Sequence, residues 1–197
     1  MSQYSDLLTD IYSITNRPDL VADTKVALRV ATLKAHHSDF YPKDLYETGL
    51  TFSAPTTLVD FEYRTYIPRW RALKYLRKYD ATTDTPSDFF TVVDPTAVLD
   101  SYSVHLENVC YLAGELLRIR SSEAISTALI GCYIHPNTAE ANYSSWIATE
   151  YSDLIVFEAA GSIFKMIGFD EQAAFYKNES AILLAEMRNA NILATGY

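Results

Sequence analysis

The sequence predicts an α+β fold, mainly helical, in which two N-terminal and two long C-terminal helices form a bundle around a central antiparallel β insertion. Three observations predict it. Near both ends of the chain apolar residues recur every three or four positions, the period of a helix with one covered face. The middle is filled instead by runs of β-branched and aromatic residues. Pro18, Pro68, Gly114 and Gly168 punctuate the chain at the borders of these stretches. The chain reads as one domain, 1–197, with N-terminal helices over 1–45, a mostly β sub-domain over 46–136, a helical hairpin over 137–192 and a tail over 193–197.

Tyr4, Leu7, Leu8, Ile11 and Ile14 place a short amphipathic helix over residues 2–15. NRPD ends it, and Pro18 is suited to open the next, with Asn16 or Asp19 near its cap. That second helix runs to about His37 and carries two stripes. Leu20, Thr24, Ala27, Ala31 and Ala35 form one; Val26, Val30, Leu33 and His37 form the other. Two apolar stripes imply cover from two sides, by the chain's own fold or by a neighbouring subunit. In the β region, residues 48–52 and 59–67 read as strands punctuated by Pro55 and Pro68; in 70–79 Trp70, Leu73 and Leu76 suit a helix and the aromatic content a strand, and the strand is the preferred reading. A polar loop follows at 82–88, and Asp94-Pro95 opens a helical turn through Asp100. Residues 109–113, 115–120 and 124–134 read as three more strands, with Gly114 as a bulge or tight turn and 121–123 as a hairpin link. Ser144 or Ser145 caps a helix reaching Ile167, with Ile147, Tyr151, Leu154, Phe157, Gly161 and Phe164 on one face. Gly168 stops it and Asp170 caps the last helix. The stripe of that helix is Phe169, Ala173, Tyr176, Ser180, Leu183, Met187 and Ala190, alternating four and three, which suits shallow packing on an antiparallel neighbour.

At 49% hydrophobic and 21% charged residues, the 197-residue chain has enough apolar content for a real core. Its 15 tyrosines fit two roles equally, contacts between subunits or strand and rim positions of a monomer. A net charge of −9 argues against general wrapping of nucleic acid, which needs cationic surface. The charge is segregated: Arg64, Arg69, Arg71, Lys74, Arg77 and Lys78 form a block without an acid. Residues 80–115 carry acids without Lys or Arg. Such a layout suits contact between neighbouring copies, and equally an ordinary solvated surface. No signal segment or apolar run of about 20 residues occurs, so no membrane is expected. Cys110 and Cys132, far apart and outside any CxxC, read as free core thiols of a reducing cytosol.

Catalytic, cofactor and metal motifs are not found. His36 and His37 are adjacent, hence about 100° apart on a helix, unlike an i, i+4 zinc pair; they read as a helix-end pair. Cys110, Cys132 and His135 would supply only three ligands even if their strands met. AAGSI at 159–163 lies within a helix and is not a nucleophile elbow. Asp170-Glu171 sits at a helix start, where it complements the dipole.

Five segments occur in an order that resembles a known family. They are IYSITNRPDLVADTKVALRVATLKAHHSDFYPKDL (11–45), IPRWRALKYLRKYD (67–80), VCYLAGELLRIRS (109–121), LIGCYIHP (129–136) and SSWIATEYSDLIVFEAAGSIFKMIGFDEQAAFY (144–176). The ordered set, spanning most of the chain, resembles the head-to-tail adaptor, or connector, proteins of tailed bacteriophages. The resemblance implies a non-enzymatic virion protein made in the host bacterial cytoplasm and placed in the neck between capsid and tail. It implies a ring, usually of twelve copies, bound to the portal protein above and to a downstream tail or nozzle protein below. DNA would pass through its lumen without sequence-specific contact. By position, the C-terminal segment that engages the portal would be Asn189, Ala190, Asn191, Ile192, Leu193, Ala194, Thr195, Gly196 and Tyr197. The basic block from Arg64 to Lys78 would serve the subunit interface. Another tail-completion or capsid-accessory protein, or a small hydrolase with a dispersed site, are the alternatives.

Overall fold

The structure, a computed structural model, describes residues 3–80, 85–96 and 106–195, with the backbone alone for residues 193–195. The fold is α+β, and the chain divides into two compact units: residues 1–44 with 135–197, and residues 45–134.

The first unit is helical. Helix α1 is Gln3–Thr15 and α2 is Val21–His37. Between them Asn16 takes a positive φ of 50° and returns its N–H to Tyr12 O at 2.8 Å, closing α1. Neither expected cap is used: α2 starts after Leu20 without a side-chain cap, and Asp19 is held instead by Arg17 at 2.7 Å. The long helix expected up to Ile167 is two pieces, α4 (Trp146–Glu150) and α5 (Ser152–Met166), which follow α3 (Tyr63–Tyr66) of the second unit in chain order. The break falls at Tyr151, whose ψ of 52° leaves the helical region. Ser145 caps α4 by accepting from the Ala148 N–H. Gly168, at φ 84°, turns the chain into α6 (Asp170–Thr195). Residues 193–195, expected in the tail, continue α6; Gly196 and Tyr197 lie outside the described residues.

Helix α5 is the hub, packed by α1, α2 and α6. Leu154, Ile155, Val156, Ala159, Ala160, Ile163 and Phe164 are all buried, so it is covered on several faces. Gly161 permits the close approach of α6: a Cβ there would stand 3.2 Å from the Ala173 carbonyl oxygen. Tyr4, Leu7, Ile11, Leu28, Ile147 and Met187 complete this core. Each such side chain contributes about 1.5–3 kcal/mol of burial.

The second unit is a mixed β-sheet. Its strands are β1 (Leu45–Glu62), β2 (Trp70–Asp80), β3 (Thr85–Phe89), β4 (Thr91–Val92), β5 (Val109–Ala113) and β6 (Leu116–Ile134). Helical turn α3 is Tyr63–Tyr66, so the strand expected over 59–67 stops at Glu62. The hairpin expected at 121–123 does not form, and β6 runs straight through it. Part of the loop expected at 82–88 is strand β3; residues 81–84 lie outside the described residues, as do 97–100 of the turn that Asp94 opens. Strand β1 pairs antiparallel with nearly all of β6. Both β2, along the C-terminal half of β6, and β5, along its N-terminal part, are also antiparallel to it. The β4–β5 pair is parallel, which makes the sheet mixed rather than antiparallel. Leu50, Val59, Phe61, Leu76, Leu117, Ile119 and Ile130 form its core.

Candidate functional site

Two helices of the first unit pack one face into the core and leave apolar side chains on the other. In α2, Thr24, Leu28, Ala31, Thr32 and Ala35 are buried, whereas Val26 and Val30 are 51% and 50% exposed. Leu33 is half-buried and His37 exposed, so the second stripe read from the sequence is the outward face of α2. In α6, Ala173, Ser180 and Met187 face inward, while Phe175 and Ile182, seven residues apart, are 58% and 46% exposed. Glu171, Glu179 and Glu186 share the outward half of α6 with them at helical spacing. Phe169 and Ala190 are exposed, so the stripe expected from Phe169 to Ala190 is covered only between Ala173 and Met187, with Tyr176 and Leu183 half-buried.

The six-residue basic block is distributed over α3, the following turn and β2. Arg64 lies over the Tyr63 ring at 5.9 Å. Arg69 lines an open cleft with Tyr46, Tyr66, Ile67, Pro68 and Ile134. Arg71, Lys74, Arg77 and Lys78 follow along β2. Arg77 stacks over Phe89 at 4.3 Å and donates from Nε to Ser87 O at 3.0 Å, and Lys78 stands 3.8 Å from Glu123. Asp80, of the following acidic block, ends the same strand as the basic residues, and β3, which carries Asp88, pairs with that strand. The Tyr75 hydroxyl is bonded to Glu47, and its ring meets Phe89 edge-on at 5.9 Å.

The C-terminal residues Asn189–Thr195 form the last turns of α6. Asn189, Ala190 and Ile192 are exposed and Asn191 is half-buried. One turn before, Arg188 donates to the Ser38 carbonyl.

A polar centre that sequence reasoning missed lies inside the helical unit. His36, at the end of α2, is 2% exposed. Its Nδ1 stands 2.8 Å from Asp44 Oδ1 and its Nε2 2.9 Å from Ser145 Oγ. Trp146 Nε1 donates to the same Asp44 oxygen at 2.8 Å. With Nδ1 donating to the carboxylate, Nε2 accepts from the serine hydroxyl, the hydrogen-bond order of a hydrolytic relay. Ser145 Oγ is, however, also the acceptor of the Ala148 N–H, and Ser145 and Asp44 are only 4% and 5% exposed. His37 turns the other way and meets His135 Nδ1 at 2.9 Å. A second centre is Glu158 on α5, nearly buried, which takes Lys34 Nζ at 2.9 Å and Lys177 Nζ at 2.5 Å. Burial pushes the Tyr143 hydroxyl up to about 12, against the opposing effect of its 2.7 Å hydrogen bond to Thr32.

Cys110 and Cys132 are free and fully buried, and burial raises their thiols to about 12 and about 11. Both are protonated at neutral pH and inert as nucleophiles. They also stand apart: Cys110 faces Ile119 on β6, and Cys132 itself lies ~40 Å of extended chain further along that strand. Among the described residues, no group of three or more His, Cys, Asp or Glu side chains is placed to hold a metal ion, and no helix is long and apolar enough to cross a membrane. Tyrosines occupy both environments: Tyr4, Tyr41, Tyr63, Tyr111 and Tyr133 are buried, and Tyr46 and Tyr66 exposed. Compared with protein-family models and with curated proteins, the sequence finds no match.

Proposed function

We propose that the chain is a structural subunit of a virus particle, the head-to-tail adaptor of a tailed bacteriophage. In this reading it is not an enzyme. It forms a ring of about twelve copies in the neck, takes the portal protein on one side and a tail component on the other, and leaves a lumen for DNA. The observation that carries the reading is the pair of outward apolar faces on α2 and α6, helices whose inner faces are already buried. A helix satisfied on one side and apolar on the other is built for a second cover. The ordered sequence segments that resemble the adaptor proteins supply the kind of assembly. The excess of negative charge suits a lumen that does not grip phosphate. The C-terminal segment Asn189–Tyr197 is assigned to the portal and the basic ribbon on β2 to contacts between subunits.

The test is electron microscopy and co-sedimentation of the purified chain with purified portal. Ring-shaped density bound to one end of the portal is expected, and removal of residues 189–197 should weaken binding at least tenfold without loss of helical circular dichroism. Absence of binding and of rings across low and high salt would refute the proposal. A second reading, a small hydrolase, draws on the Ser145–His36–Asp44 chain of hydrogen bonds. A fluorophosphonate probe separates the two: covalent labelling of Ser145 supports the hydrolase, and an unlabelled, portal-binding protein supports the adaptor.

A further inference from the structure

The outward faces of α2 and α6 belong to the same helical unit and are built to complementary charge. On α2, Val26, Val30 and Leu33 recur at four and three residues, with the cations Arg29 and Lys34 at their edges and the exposed Asp23 one turn before Val26. Lys34 reaches Glu158 in its own chain yet keeps 59% of its side chain exposed. On α6, Phe175 and Ile182 are accompanied by Glu171, Glu179 and Glu186, whereas the cations of that helix turn back into their own chain, Lys177 to Glu158 and Arg188 to Ser38. Two α6 faces brought together would oppose glutamates, and two α2 faces would oppose Arg29 and Lys34. The mixed pairing sets the two cations of α2 against the three glutamates of α6 across an apolar seam, whereas a second α2 face would offer those cations Asp23 alone.

We infer that the outward face of α2 in one copy docks on the outward face of α6 in the next. The inference rests on the assembly reading above and names the surfaces it uses. Because the two faces are different patches, the contact is head-to-tail, and repetition closes a ring or extends a filament. Three helical turns cover on the order of a few hundred Å², well below the ~800 Å² per partner of a stable pair. An isolated pair is therefore weak, and closure or a bound partner completes the assembly.

The experiment is oxidative cross-linking of Val26→Cys and Phe175→Cys, both at exposed positions, with the native thiols buried. The double variant should give a ladder of covalent oligomers, an equal mixture of the single variants should stop at dimers, and neither single variant alone should dimerise. Arg29→Glu should cut ladder yield about tenfold, and Glu179→Arg in the same chain should restore it. Dimers from a single variant as abundant as from the mixture would overturn the pairing in favour of a symmetric one. If the wild-type chain assembles or binds portal while the double variant shows no ladder, the named surfaces are wrong and the assembly reading stands. If the wild-type chain remains monomeric with and without portal, both fall. Circular dichroism of each variant confirms that the helices are intact.

Discussion

His36 shows how far a single residue's role can lie from its sequence neighbourhood. Read locally, it belongs to an adjacent histidine pair at a helix end. Its partners are Asp44, at the end of the next helical turn, and Ser145, more than a hundred residues away. No spacing rule links positions so distant; folding of the helical unit alone brings them together. Ser145 was legible as a helix cap, because a serine before an apolar period marks an N-terminus. Its second duty, to the imidazole, was not. Replacing Ser145 by Ala therefore removes two things at once. The Ala148 N–H loses its cap, costing about 1 kcal/mol. His36 Nε2 is left buried with that partner gone, costing about 1–3 kcal/mol more. The expected loss of about 2–4 kcal/mol appears as a lower urea midpoint at unchanged slope. A loss below about 0.5 kcal/mol would mean the centre relaxes around the change.

At the scale of elements, the sequence located helices better than strand continuity. Apolar period placed α1, α2 and α6 within a few residues, because a half-covered helix must repeat its contacts every turn. Strand β6 defeated the same logic. Ser121, Ser122 and Glu123 carry hairpin composition, but β1 supplies pairing on both sides of them, and the polar run becomes the interior of one long strand. Pro55 lies within β1 for a related reason: the register shifts between Thr51 and Thr56, so no ladder bond is demanded of it. Gly131 is another element-level device. The Tyr75 ring lies directly on it, in the space a Cβ would need. Gly131→Ala must displace that ring, together with its bond to Glu47 and its edge contact with Phe89. A cost of about 1–3 kcal/mol is expected in the wild type. In a Tyr75→Ala background the same change should be neutral or slightly stabilising, since Ala loses less backbone entropy than Gly. A double-mutant cycle by thermal unfolding measures the difference, and additivity would exclude the clash.

For the molecule as a whole, the question is whether the two units are independent folding bodies. The core of the helical unit draws on residues 4–41 and 147–187, the core of the β unit on residues 50–132, and no residue belongs to both. The chain leaves the helical unit after Asp44 and re-enters it at His135. Leu45 and Tyr133 are cross-strand partners, so the entry and exit of the β unit are about 5 Å apart. That arrangement makes the insertion removable: a few Gly-Ser residues can bridge the gap with little loop entropy. Deletion of residues 46–133 with such a bridge is expected to yield a cooperatively unfolding helical protein, with the near-ultraviolet signal of Trp146 retained. It should also retain the seam between α2 and α6, so the Val26→Cys, Phe175→Cys ladder should persist in the shortened chain. Binding of hydrophobic dye and a non-cooperative melt would show that the helices need the sheet to fold. A folded shortened chain that no longer forms the ladder would instead place the contact between copies on the β unit, returning weight to the basic ribbon of β2.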